Sequence, residues 1–170
     1  MVENTTKKDS VLKTAVFAGG CFWGVEELMH RLMGVEEVIT GYTGGKTGSP
    51  SYEQVKTGET GHFEAVRIRY NPQEISYEIL CKYFLEIHDP TQKEGQGPDH
   101  GSQYRSAIFY LNEEQRCTAE KLLNLLRERG LDIQTRLIPF RKFWIAEEYH
   151  QGYYRKHNTQ PYCHFRVKRF

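Results

Sequence analysis

Of the four cysteines, Cys21, Cys81, Cys117 and Cys163, Cys21 has the setting most favourable to reactivity. It follows a short apolar run and Gly19-Gly20, and it stands where a helical pattern begins. A sulfur at that point faces unpaired amide N–H groups and the positive end of the helix dipole. Both favour thiolate, the nucleophilic form. The same order of strand, two glycines, cysteine and helix also describes tight packing around a small residue. Phe22 and Trp23 come next. At helical spacing they diverge, so that one faces a cleft unless both pack in the core. Glu64 is the second unusual position. It shares a strand face with Val66, Ile68 and Tyr70, which reads as the core face. A carboxylate there must be paired, or it becomes protonated, and a protonated carboxyl beside a reactive thiol is a general acid. The alternative is that Glu64 reaches solvent from the strand end.

The elements that must position these groups follow from periodicity. Lys13 to Ala18 reads as a buried strand. The helix opened by Cys21 has Val25, Leu28, Met29 and Leu32 on one face and Glu27 and Arg31 paired on another. Gly34 stops it. Strands follow at Val35 to Tyr42 and His62 to Tyr70, separated by a Gly/Ser/Pro-rich loop and the segment Tyr52-Glu53-Gln54-Val55. A helix is expected over about 76–88, a long irregular loop over 89–105, and a strand over 106–111. Asn112 and Gln115 resemble a capping box for a helix over about 113–129. A short strand near 134–138 precedes an aromatic remainder without clear period. This order predicts an α/β (α+β) chain, a two-layer sandwich with a ferredoxin-like split βαβ core and a long irregular C-terminal segment. Residues 1–12 read as a loose arm and 13–170 as a single catalytic domain that includes the tail with Cys163.

The other thiols sort by position. Cys81 shares a helix face with Tyr77, Leu80 and Phe84 and reads as inert core. Cys117 lies nearly opposite the Ala119/Leu122/Leu123/Leu126 stripe. Cys163 sits in Gln160-Pro161-Tyr162-Cys163-His164. Beyond Glu148 the chain carries Arg155, Lys156, Arg166, Lys168 and Arg169 and no acidic residue. Nearby cations favour a thiolate, although a solvated basic tail with an incidental cysteine has the same composition. Asp89, Asp99, His88, His100 and Tyr104 fall in the long loop without metal-ligand spacing.

Composition removes whole classes of function. The chain has 170 residues, 23 Lys+Arg against 22 Asp+Glu, and a net charge of +1. That balance gives no global field toward nucleic acid or an anionic membrane. No apolar run approaches the roughly 20 residues of a membrane span. There is no CxxC pair for zinc or thioredoxin-type chemistry. The first residues, MVENTTKKDSVLK, lack the apolar centre of a signal peptide, so a reducing, cytoplasmic setting is expected.

At Gly20-Cys21-Phe22-Trp23-Gly24 the sequence resembles the A-type peptide methionine sulfoxide reductases. Further motifs of that family follow in order: Gly-Tyr-Thr-Gly-Gly at 41–45, Tyr52-Glu53-Gln54-Val55, Gly61-His62-Phe63-Glu64-Ala65-Val66, His88-Asp89-Pro90-Thr91, and Asp99-His100-Gly101-Ser102-Gln103-Tyr104-Arg105-Ser106. The likeness spans about residues 14–163. Phe63 departs from the smaller residue common in relatives, and the glycine-rich tail of some members is replaced here by a lone Cys163. The resemblance implies that Cys21 attacks the sulfur of methionine-S-sulfoxide, free or in proteins, and that Glu64 donates to its oxygen. Tyr52 and Tyr104 would hydrogen-bond that oxygen, Phe22 and Trp23 would wall the S-methyl group, and Asp99 would help place the substrate backbone. Cys21 would be left as a sulfenic acid. Cys163, in a flexible-looking tail, would resolve it to a disulfide that thioredoxin or a small dithiol reduces. The resemblance further implies a monomer with no metal and no bound cofactor. Three rival readings follow from the same residues. The first is a one-cysteine cycle with direct reduction by an external thiol. The second is a Cys–His hydrolase using His62, His88 or His100. The third is a ferredoxin-like small-ligand binding module.

Overall fold

A computed structural model describes residues 11–170; the expected arm, 1–12, lies outside the described residues except for its last two. The chain runs β1 (Lys13–Gly19), α1 (Phe22–His30), β2 (Val35–Thr43), α2 (Tyr52–Lys56), β3 (Phe63–Tyr70), α3 (Tyr77–Glu86), β4 (Gly95–Gln96), β5 (Asp99–His100), β6 (Ser106–Tyr110), α4 (Glu113–Glu128), β7 (Arg136–Pro139), β8 (Phe143–Ile145) and α5 (Tyr153–Lys156). The main sheet has the order β7-β6-β1-β3-β2-β8. Its four central strands, β6-β1-β3-β2, pair antiparallel and are the expected split βαβ core. The edges are new: β7 pairs parallel to β6 and β8 antiparallel to β2.

Local chemistry explains most boundaries. Ser51 accepts from Gln54 N–H while the Gln54 side chain accepts from Ser51 N–H, a full capping box that starts α2. At α4 the resemblance to a capping box is half right. Asn112 accepts from Gln115 N–H, but the Gln115 amide accepts from Leu111 N–H and donates to the Thr14 carbonyl, tying α4 to β1. The loop over 89–105 is not wholly irregular, because β4 and β5 pair within it and Ser102–Tyr104 form one turn of 3₁₀ helix. The aromatic remainder supplies β8, a second 3₁₀ turn at Glu148–His150, and α5.

Both sheet faces bury apolar residues. Ala15, Phe17, Val66, Ile68 and Ile108 meet α1, α3 and α4 in the main core, which also holds Cys81. Val16, Ala18, Phe63, Ala65, Ala107 and Phe109 form a smaller cluster on the opposite face, closed by Arg67 over Phe143 and Arg105 over Phe63. Phe63 thus points away from Glu64. Phe84 is the keystone between layers: fully buried on α3, it stacks on Phe17 of β1 with centroids 4.7 Å apart. We expect Phe84→Ala to lower the unfolding free energy by about 3–5 kcal/mol in urea denaturation. A loss below about 1 kcal/mol would mean that the layers are held together elsewhere.

Candidate active site

The site is organised at the junction of β1 and α1. Gly20 adopts φ +90°, and a Cβ there would press on the Gln96 side chain, so only glycine turns the chain here without strain. Cys21 is the N-cap of α1, and the helix's first amide, Phe22 N–H, donates to Glu64 Oε1 at 3.2 Å. The sheet delivers that carboxyl: Glu64 is the second residue of β3, opposite Tyr42 of β2, and 2% exposed. It does not reach solvent. Burial, with Asp99 nearby, pushes its pKa up to about 8 against the opposing Phe22 hydrogen bond. That shift favours the protonated carboxyl at neutral pH, and among the described residues Oε2 accepts no hydrogen bond.

At Cys21 burial works against the expected thiolate. Desolvation pushes its pKa well up, and the charges of Glu64 and Asp99 act in the same direction. Hydrogen bonds from Trp23 and Gly24 N–H oppose this without overcoming it. The helix terminus acts as expected, but dehydration of the sulfur outweighs it.

Tyr52 at the start of α2 and Tyr104 after β5 are half-buried. Burial, then Glu64, holds both phenols protonated, Tyr52 at a pKa of about 12. Ionisation of Cys21 would raise both further, as Tyr52 and Asp99 do for Tyr104, so the fold brings four expected residues, Glu64, Tyr52, Tyr104 and Asp99, near Cys21. Phe22 and Trp23 divide. Phe22 is 1% exposed and packs in the core between Tyr42 and His150. Trp23 is half-buried, stacked on Tyr153 of α5 with centroids 3.7 Å apart, so the open apolar wall falls to Trp23 with Phe22 behind it.

Sequence reasoning missed the layer behind these groups. Glu147 accepts hydrogen bonds from Tyr42 Oη, Tyr52 N–H and Tyr149 Oη at 3.1–3.2 Å. Burial alone would raise its pKa, but these bonds hold the carboxyl below its usual range. His150, fully buried, accepts from Trp23 Nε1 at 3.0 Å through Nδ1, which leaves its proton on Nε2. Both lie in the aromatic stretch that gave no periodic signal. The hydrolase reading loses its base: His62 is bonded to Gly45 and Thr47, His88 to Phe84 and Ser106, and His100 is exposed. Among the described residues none of the three is bonded to Cys21.

Cys163 is half-buried and Cys117 exposed; all four thiols are free. The tail around Cys163 is not the loose segment expected. His164 is buried, and Glu86, 3% exposed on α3, accepts from Arg166 Nη2 at 3.0 Å and Arg169 N–H at 2.9 Å. The basic run is therefore partly neutralised by a buried carboxylate on another element. Among the described residues no group of three or more His, Cys, Asp or Glu is placed to hold a metal ion, and no helix is long and apolar enough to cross a membrane.

The family model described as peptide methionine sulfoxide reductase matches residues 13–170. The chain is 48% identical over 153 residues to the peptide methionine sulfoxide reductase MsrA of Nautilia profundicola, covering 90% of this chain and 88% of that one. With the MsrA of Acinetobacter baumannii strain AYE it shares 47% identity over 156 residues, 92% of this chain and 90% of that one. Among solved structures, reduced Mxr1 from Saccharomyces cerevisiae superposes with a TM-score of 0.86 at 32% identity, covering 91% of this chain and 92% of that chain.

The raised Glu64 pKa has a thermodynamic consequence. Between about pH 4.5 and about 8 the folded state retains a proton that the unfolded chain releases, so this group makes stability fall as pH rises through that window. Glu64→Gln lacks the titration. Urea denaturation at pH 5 and pH 8 should show the variant gaining on wild type at the higher pH. Parallel pH profiles would mean that Glu64 is already ionised.

Proposed function

Because the chain belongs to the peptide methionine sulfoxide reductase family and so reduces peptide methionine (S)-sulfoxide, we propose that it does so through a Cys21 sulfenic acid with Glu64 as the acid. The observation that carries this reading is the Phe22 N–H to Glu64 bond, which holds a protonated carboxyl beside the cysteine at the head of α1. The Cys21 sulfur attacks the sulfoxide sulfur. Glu64 donates its proton to the oxygen as the sulfur–oxygen bond weakens, and the thiol proton replaces the one given up. The hydroxyl then passes to the Cys21 sulfur as the transient sulfur–sulfur bond breaks and its electron pair leaves with methionine, so thiol and sulfoxide become sulfenic acid and thioether.

Tyr52 and Tyr104, held as neutral phenols, donate to the oxygen as its charge grows in the transition state. Trp23 covers the S-methyl group, and Asp99, half-buried in β5, orients the substrate's backbone amides. Burial favours the thiol form of Cys21, so its proton leaves as the sulfur's electrons engage the polarised sulfoxide sulfur. Cys163 then condenses with the sulfenic acid to a disulfide and releases water, and thioredoxin reduces the disulfide by thiol exchange.

Dithiothreitol-driven reduction of a methionine sulfoxide peptide separates the roles. Cys21→Ser should abolish turnover. Glu64→Gln should lower kcat by about 10²–10⁴ with KM little changed, as removal of a group acting in the transition state requires. Retained turnover in Cys21→Ser, or an unchanged rate in Glu64→Gln, would overturn those assignments. Mass spectrometry after sulfoxide treatment without reductant should find a Cys21–Cys163 linkage. A lasting Cys21 sulfenic acid would instead mean a one-cysteine cycle.

A further inference from the structure

The reading above uses Cys163 but leaves the residue after it without a role. His164 is 4% exposed between Cys163 and Phe165, which is 71% exposed. Its Nε2 lies 2.7 Å from the Gly19 carbonyl, 145 residues away. A carbonyl can only accept, so Nε2 carries the proton. Burial lowers the ring's pKa, and with the proton on Nε2 the buried Nδ1 has no partner among the described residues.

The ring lies where α1 presents no side chains. A Cβ on Gly24 would collide with Nδ1 and Cγ of His164, and one on Gly20 would come within 3.4 Å of Nε2. The glycines flanking Cys21-Phe22-Trp23 thus form the seat of the imidazole. Cys163 is one residue from the His164–Gly19 bond and Cys21 is two, at about 3.8 Å per Cα step. That bond leaves very little chain between the thiols. Asp99 is close enough to oppose the ionisation of both. Beyond His164, Val167 N–H donates to the Glu86 carbonyl at 2.7 Å, and the Glu86 carboxylate holds Arg166 and Arg169, so the downstream end of the tail is fixed to α3.

We propose that His164 is the tether of the resolving step, a positioning residue that keeps Cys163 beside Cys21. It touches no substrate atom and acts after methionine has formed. The step it serves is Cys21–S–OH plus Cys163–S–H giving the Cys21–Cys163 disulfide and water. The new S–S bond replaces the S–O bond, the thiol hydrogen leaves on the hydroxyl, and no external oxidant or reductant enters. Anchoring one thiol near the other raises its effective concentration for an intramolecular attack. The inference rests on Cys163 being the resolving thiol.

The test separates the two half-reactions. Fully reduced enzyme is mixed with one equivalent of a methionine sulfoxide peptide and quenched over time. Methionine is measured by chromatography, disulfide by mass spectrometry, and sulfenic acid by trapping with dimedone. His164→Ala should release methionine at the wild-type rate while disulfide formation slows at least about tenfold, with trappable sulfenic acid accumulating. His164→Gln, whose amide can still donate to the Gly19 carbonyl, should recover most of the rate. Gly24→Ala, which evicts the ring from the helix side, should slow disulfide formation relative to methionine release even with the imidazole present. This variant keeps the test open if His164→Ala fails to fold. Disulfide forming in His164→Ala at the wild-type rate would overturn the tether. So would methionine release slowing in step with the disulfide, since that marks a general structural role. If Cys163→Ser turns over with thioredoxin as fast as wild type, the resolving assignment itself falls, and the tether with it.

Discussion

The hydrogen bond from the first amide of α1 to Glu64 couples the two groups on which the proposed chemistry depends. An amide at a helix start needs a partner, and a carboxyl buried in β3 needs a donor. Each satisfies the other at 3.2 Å. Because β3 lies between β1 and β2, and Cys21 follows directly from β1, sheet pairing fixes nucleophile and carboxyl relative to one another. The burial that makes the bond necessary also keeps Glu64 protonated at neutral pH. Position and protonation state therefore have one cause.

The same dry environment works against Cys21. A helix N-terminus in water would favour thiolate, but here desolvation favours the thiol, and the Asp99 charge adds to it. The proposed reaction has no need of a standing thiolate, since a sulfoxide is neutral and already polarised at sulfur. The two phenols carry the same logic: dehydration keeps them as donors across the physiological range.

Behind this first ring of groups stands the C-terminal third of the chain. Glu147 fixes the start of α2 through Tyr52 N–H, His150 fixes the Trp23 indole, α5 stacks Tyr153 on that indole, and the tail returns His164 to the β1–α1 turn. Each is a contact across more than ninety residues of sequence. Glu26, 1% exposed, joins the same set by accepting from Gly152 N–H through both oxygens. A pocket built from α1 outward is thus closed by segments without regular secondary structure of any length, held by single polar bonds to buried partners.

Periodicity and punctuation in the sequence were enough for β1, α1, β2, β3, α3, β6 and α4, because the helices bury one repeating face, the strands are short apolar or alternating runs, and all end near glycine, asparagine or proline. The same alternation put Glu64 on the core face, and spacing assigned Cys81 to the core and Cys117 to the surface. The short strand near 134–138 was legible and is β7, but its parallel pairing, the strand β8 and the residues 140–164 were not, since their side chains serve partners distant in the chain and so follow no local period. By itself the sequence determined which residues could react: a cysteine at a helix start, a carboxyl on an apolar face, two aromatics after the cysteine. Only the tertiary structure decided their states and their company. It raised the pKa values of Glu64 and Cys21 by burying them, sent Phe22 inward and left Trp23 half-buried, and showed the tail bound rather than loose. Protonation depends on how much water the whole fold excludes from a point, and a tail's position on the partners that other elements supply; neither is written in neighbouring residues.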